Sequence, residues 1–356
     1  MRFGSILITG GAGFVGANLS LYLKHSFPGV RVTALDNLSR RGSELNVPRL
    51  RDGDVDFLHG DVRCEEDLKK CPDFDLLIDC SAESSVQAGA SASPRFVLNA
   101  NLLGTINCLE ETREQNAAFL FLSTSRVYPI ARLNELPFAE SASRFEWQIE
   151  NGTRGVSAAG VNEDFPLEGA RSFYGASKLS GELLVAEYVH NYGMECLINR
   201  CGVLAGPWQM AKVDQGVITL WIAGHQFNRP LNYRGFDGHG KQVRDVLHVR
   251  DLCELIGHQL STDTGWNGSV FNVGGGADVS TSLCELTGIC EDVTKTQLDI
   301  GAIPETSDLD LRIYLTDSSR VQQAYGWKPQ RSVQDIVEDI HGWILNNQSQ
   351  LETVLA

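Results

Sequence analysis

Positive charge is scarce. The chain has 30 Lys and Arg against 45 Asp and Glu, a formal net charge of −15. Nonspecific binding to nucleic acid or to an anionic membrane needs a basic face, so both are excluded as general partners. An anionic small molecule is still compatible, because a few local arginines can hold it. No apolar run reaches the length of a bilayer-spanning helix. No C-x-x-C pair occurs. The nine cysteines are scattered at 64, 71, 80, 108, 196, 201, 253, 284 and 290. That spacing suits small apolar residues in a reducing compartment, and no metal site is expected. The opening M-R-F-G-S-I-L-I-T-G lacks the shape of a secretory signal, so a cytoplasmic location is expected. Repeats and low-complexity tracts are also missing.

What is present is a chain of 356 residues, 42% hydrophobic, long enough for a large core and two lobes. Its first half alternates short apolar runs with helical patterns. Strands are expected at Ser5–Thr9, Arg31–Leu35, Val55–His59, Leu76–Asp79 and Ala118–Leu122, with helices at Leu98–Gln115 and Ser177–Tyr192. This order predicts an α/β fold: a Rossmann doubly wound parallel sheet with a smaller C-terminal α/β substrate lobe. Residues 1–198, with 243–262 returning, form the expected cofactor domain. Residues 199–242 and 263–356 form the expected substrate lobe, with Val246–Leu260 read as a helix. Ligands in such sheets sit beyond the carboxyl ends of the strands.

The stretch I-L-I-T-G-G-A-G-F-V-G sets Gly10, Gly13 and Gly16 between a strand and a helix. Gly10 allows the tight turn, Gly13 the approach of a pyrophosphate, and Gly16 close packing of the helix. Phe14 and Val15 join this loop as cofactor contacts. Asp36 ends the second strand, where a carboxylate accepts from ribose hydroxyls and repels a 2′-phosphate. NAD is therefore expected over NADP, although Arg40 and Arg41 follow and suit that phosphate. Asn37, Ser39 and Arg40 are expected cofactor contacts, as are Asp61 and Val62 after the third strand. Asp61 suits an adenine amino group or the cap of the next helix.

Y-G-A-S-K puts Tyr174 and Lys178 on one helical face. A nearby ammonium is expected to lower the phenol's pKa, so that it takes a proton from an alcohol as hydride leaves the carbon. S-T-S-R-V-Y, after the apolar run at 117–122, sets hydroxyls at a strand's carboxyl end.

Together, G-G-A-G-F-V-G, D-N-L-S-R, S-T-S-R-V-Y, Y-G-A-S-K and G-K-Q-V-R-D-V-L-H resemble the extended short-chain dehydrogenase/reductase superfamily of nucleotide-sugar epimerases and dehydratases. Within it, D-N-L-S-R-R-G, the S-T pair, D-Q-G and G-K-Q-V-R-D-V-L-H are most similar to the CDP-paratose 2-epimerase (CDP-tyvelose epimerase) subfamily. The resemblance implies that Thr124 bonds the reacting hydroxyl and that Thr124, Tyr174 and Lys178 are catalytic. It implies cofactor contacts at Ser81, Ala82, Asn101, Ser123, Tyr174, Lys178 and Cys201. It implies substrate contacts at Ser84, Thr124, Gln215, Arg244 and Arg312, the two arginines taking the nucleotide diphosphate. It also implies a tightly bound, recycled NAD and a homodimer formed through the helices at 98–115 and 177–192. Departures from relatives fall near the sugar pocket: Glu83 and Ser84, Pro129 after V-Y, and Val203 in C-G-V-L-A-G.

Dehydratases of this superfamily carry Asp-Glu after the active-site Thr, and uronate decarboxylases carry Ser-Glu. Here Ser125 and Arg126 follow. Neither is a general acid at neutral pH. Elimination therefore loses ground. The expected reaction is epimerisation by transient oxidation to a keto sugar and re-reduction on the other face, at C2 of a CDP-linked hexose. A UDP-sugar 4-epimerase is the nearest alternative. A dehydratase or reductase, and a silent NAD-binding protein, are further ones.

Overall fold

The structure, a computed structural model, describes residues 1–149, 153–212 and 215–355. Seven parallel strands form the central sheet. Their spatial order is Asn267–Val273, Cys196–Cys201, Ala118–Thr124, Leu76–Asp79, Ser5–Thr9, Arg31–Asp36, Asp56–His59. Runs such as L-L-I-D and A-F-L-F-L-S-T are buried along their length. Such strands need cover on both faces. Helices Phe14–Ser26 and Val249–Gln259 cover one face through Leu19, Leu23, Leu252, Leu255 and Ile256. Helices Gly104–Glu114 and Phe173–Tyr192 cover the other through Cys108, Leu109 and Val185.

Strand order reverses beside Ser5–Thr9. The chain adds two strands on one side, then crosses to lay Leu76–Asp79 on the other. The ends of these two central strands are tied together: the Thr9 hydroxyl donates to Asp79 at 2.8 Å. A reversal of this kind opens a crevice at the carboxyl ends.

The second lobe is a small sheet of Val203–Ala205, Val243–His248, Ser280–Ser282 and Ile313–Tyr314. Helices Val217–Gln226, Leu283–Thr294 and Val333–Asn346 pack on it through Ile218, Trp221, Ile222, Leu286, Ile336 and Ile340.

Four elements differ from the sequence expectation. Strand Asn267–Val273, expected in the second lobe, is an edge of the seven-stranded sheet, paired with Cys196–Cys201, which itself straddles the expected boundary at 198. Residues 243–248, expected to be partly helical, form a strand, because V-R-D-V-L-H finds partners on both sides; the helix begins only at Val249. The expected helix 98–115 contains a π turn at Asn99–Leu103. The helix expected from 177 starts at Phe173, because the Ser172 hydroxyl caps it by accepting from the Gly175 N–H at 3.1 Å.

Candidate active site

The glycine loop fills the crevice. Gly10 has φ +63°, and a Cβ on it would lie 2.8 Å from the Cys80 carbonyl oxygen. A Cβ on Gly16 would lie 2.2 Å from the Gly10 carbonyl oxygen, so this helix packs as closely as its sequence implies. At Gly13 a Cβ would meet nothing nearer than that same oxygen, at 3.0 Å. The helix that follows has no side-chain cap and no acidic residue in its first turn. Its N-terminus, at Phe14 and Val15, therefore suits an anion. Asp36 accepts from the Ala12 N–H at 3.1 Å and the Leu38 N–H at 2.8 Å. Burial nevertheless holds its carboxyl above the usual range. Asn37 donates to Asp61 at 2.9 Å and accepts from the Ser39 N–H at 3.0 Å. Asp61 also pairs with Arg63 at 2.6 Å, and this bonding holds its carboxyl down to about 2. Val62 backs Gly104, and its carbonyl accepts from Asn107. These groups fit a dinucleotide: a glycine cradle, an uncapped helix start and a carboxylate at the second strand's end.

The second cluster is built from two strand ends and one helix. Thr124 and Cys201 are register partners, as are Ser123 and Arg200. The helix start packs directly against the turn Ser125–Val127, and a Cβ on Gly175 would lie 2.1 Å from the Arg126 carbonyl oxygen. This close approach sets the Tyr174 phenol beside Thr124, whose hydroxyl acts to lower its pKa. Lys178, one turn on, is buried, with its ammonium 3.9 Å from the Phe121 ring centre. Asp79, Cys80, Glu182 and Cys201 are the groups that act on its charge. Burial pushes the Cys201 thiol up to about 12.

The phenol is not lowered as expected. Burial is the largest effect and raises it; Thr124 and Arg126 lower it, while Cys201 and Glu83 raise it. Burial also pulls the Lys178 ammonium down. Desolvation of the two charged forms outweighs the four-residue spacing that suggested a simple phenolate–ammonium pair.

Other expected residues fall around this pair. Ser81 donates to Asp79 through its N–H at 3.0 Å and its hydroxyl at 2.6 Å, with Ala82 next along the same loop. Asn101, in the π turn, clamps that loop: it accepts from the Glu83 N–H at 2.8 Å and donates to the Ser177 hydroxyl at 3.0 Å. The Ser123 hydroxyl is committed to Glu182. Gln215 bridges the two halves, accepting from Arg40 at 2.6 Å and donating to Ser84. Asp214 of the D-Q-G motif lies outside the described residues.

Arg244 and Arg312 hold different partners. Arg244 donates to Asp310 at 2.9 Å and to the Leu311 carbonyl at 2.6 Å. Arg312 instead lies 3.9 Å over Phe138, near Phe145 and Phe236, and donates to the Asn134 carbonyl. These rings hold the guanidinium by its flat face.

Sequence reasoning missed three contributions. Arg244, Asp310 and Tyr174 all act on the charge of Arg126. Glu83 brings a carboxylate near the phenol from a different loop. The buried pair Arg200–Glu182, 2.6 Å apart, holds Ser123 from behind. Glu182 stands four residues after Lys178, and that spacing was the available signal.

Fold and site define a doubly wound chain with a glycine cradle that fits a dinucleotide and a Tyr/Lys/Thr cluster beside it. The chain belongs to the NAD dependent epimerase/dehydratase family, which its residues 6–274 match. It is 30% identical to a CDP-paratose 2-epimerase of Salmonella typhi, over 95% of this chain and 98% of that one. It is 29% identical to a dTDP-glucose 4,6-dehydratase of Xanthomonas campestris pv. campestris (strain B100), over 98% and 95%. A double mutant of a dTDP-glucose 4,6-dehydratase from Streptomyces venezuelae, solved with NAD, superposes with a TM-score of 0.79 at 25% identity, covering 98% of this chain and 99% of that one. The chain is thus an NAD-dependent enzyme of the epimerase and dehydratase group. Among the described residues, no helix is long and apolar enough to cross a membrane.

Proposed function

We propose that the chain inverts C2 of a CDP-linked hexose, with NAD retained through the cycle. NAD, when bound, supplies the acceptor and later the donor of a hydride. The glycine cradle and the start of helix Phe14–Ser26 would hold its diphosphate, and Asp36 the adenosine ribose. Tyr174 takes the proton of the sugar hydroxyl, Thr124 fixes that hydroxyl, and Lys178 stabilises the phenolate. Ser81, Asn101 and Cys201 line the nicotinamide end. The keto sugar then turns and is reduced on its other face. The second lobe covers the nucleotide sugar, and Gln215 and Ser84 meet it at the seam.

One observation carries this reading. Thr124 and Tyr174 stand side by side at a strand end, and the next residues are Ser125 and Arg126 rather than an acid. The 30% identity to a CDP-paratose 2-epimerase supports C2 and the CDP group.

Glu83 favours a second reading. Its carboxylate acts on Tyr174, and a carboxylate there suits elimination. Isotope labelling separates the two. With deuterium at C2, turnover slows and the label stays in the inverted product. Loss of the C2 label to solvent means enolisation at C2. A primary effect from a C4 label means oxidation at C4, with the label kept at C4 by a 4-epimerase and carried to C6, as solvent hydrogen enters C5, by elimination.

We further infer that a second copy covers helices Arg95–Leu98, Gly104–Glu114 and Phe173–Tyr192. Phe96, Leu103, Phe173, Leu183 and Tyr192 are exposed on or between them, an apolar face of the kind that marks an interface. The nine unbonded thiols suit the cytoplasm.

A further inference from the structure

Arg126 has no part in the chemistry so far. Its backbone N–H donates to the Thr124 hydroxyl oxygen at 3.2 Å, so both residues belong to one rigid turn. Its guanidinium donates to the Leu309 carbonyl at 3.4 Å, a long bond for a cation. The charged groups that act on it are Arg244, Asp310, Tyr174 and Tyr314. Two guanidinium groups thus share the field of one carboxylate, Asp310, which lies next to Leu309, and the bonds of that carboxylate go to Arg244 and the Leu311 N–H. Burial, then Arg244, press the Arg126 guanidinium down to about 10. A half-buried cation beside a like charge is costly unless an anion joins it.

We propose that Arg126 binds the substrate: its guanidinium takes an anionic oxygen between Tyr174 and Arg244. Two sources fit this chemistry, a phosphate oxygen on the sugar side of the diphosphate and a carboxylate on the sugar itself. The proposal rests on the nucleotide-sugar reading above. It also assigns a function to the residue that replaces the acid after Thr124: an arginine there anchors charge where a carboxylate would protonate a leaving group.

The test uses the full-length, NAD-loaded protein with Arg126→Gln and Arg126→Lys. Calorimetry measures binding of CDP, UDP, their uncharged nucleosides, and CDP- and UDP-linked hexuronates. Loss of a charge-assisted bond weakens the anionic ligand by about tenfold or more. In the phosphate case, Arg126→Gln weakens CDP or UDP by that factor and spares the nucleosides, with Arg126→Lys intermediate. In the carboxylate case, the diphosphates bind as before and only the hexuronates weaken. Unchanged binding of every anionic ligand overturns the proposal. So does an equal loss for nucleosides and diphosphates, which would mean that Arg126 merely holds the 304–312 loop. None of these readouts needs turnover, so they hold even if the C2 assignment fails. Failure of the unaltered protein to bind either diphosphate would instead remove the nucleotide-sugar reading, and this proposal with it.

Discussion

Gly175→Ala tests whether the position of the phenol, more than its presence, sets the rate. The added methyl would lie 2.1 Å from the Arg126 carbonyl oxygen, where ordinary contact begins near 3.4 Å. The helix start and the Thr124 turn must therefore separate by about 1.3 Å, since a close-packed interior has no slack to absorb it. Overpacking of this kind costs about 1–3 kcal/mol of stability. A shift of about 1 Å between reacting groups lowers a rate by about a hundredfold. Turnover of the nucleotide sugar should fall by that order, while NAD binding holds, because Gly10, Gly13, Gly16 and Asp36 sit on other elements. Gly193→Ala is the control. Gly193 ends the same helix at φ +66° with nothing within 4 Å of a Cβ. A left-handed alanine costs about 1–2 kcal/mol, so stability drops similarly with the site untouched. The assay pairs kcat with thermal melting for both variants. Half or more of normal turnover in Gly175→Ala would refute the geometric argument, as would an equal loss in Gly193→Ala.

Tyr174→Phe should retain the fold and NAD and lose turnover by about 10²–10⁴-fold, the range for a missing general base; survival of a tenth of the activity would remove Tyr174 from the mechanism. Asp36→Ala should weaken NAD and relax discrimination against NADP, read by titrating both cofactors. His248 caps its helix by accepting from the Arg250 N–H through Nδ1, and burial holds its pKa down at about 4 despite the attraction of Asp339. Its folded pKa lies below the unfolded one. The stability it contributes is therefore full above the usual histidine range and is lost as pH falls through that range toward 4. His248→Asn keeps a neutral cap and should flatten the melting profile across that window. Light scattering should give the mass of two chains, and a Leu183→Glu variant the mass of one.

The parts of the site that lie close together in sequence were legible. The glycine loop, Asp36 and the Tyr174/Lys178 pair each follow from spacing on one element, and the structure builds the predicted turn, strand end and helical face. Contacts that depend on strand register were not. Thr124 opposite Cys201, and Ser123 opposite Arg200, require knowing which strands are neighbours. Arg126 read as the absence of an acid, because its partners Arg244 and Asp310 lie more than a hundred residues away. Arg312 was assigned to the diphosphate from the resemblance, and only the fold reveals the rings of Phe138, Phe145 and Phe236 around it. The phenol's direction of shift was missed for the same reason, since burial cannot be counted along a chain.

The late arrival of strand Asn267–Val273 constrains how the molecule is made. It pairs with Cys196–Cys201, and about 65 residues, partly of the other lobe, are synthesised between them. Until residue 273 has left the ribosome, the 196–201 strand presents an unpaired edge of buried, largely apolar sequence. Such edges recruit other chains. A fragment ending near residue 260 would carry the glycine loop, Asp36, Tyr174 and Lys178, yet it should aggregate rather than bind cofactor. During synthesis, the nascent chain depends on the segment between residues 202 and 266 bringing this strand to the open edge before another chain pairs there.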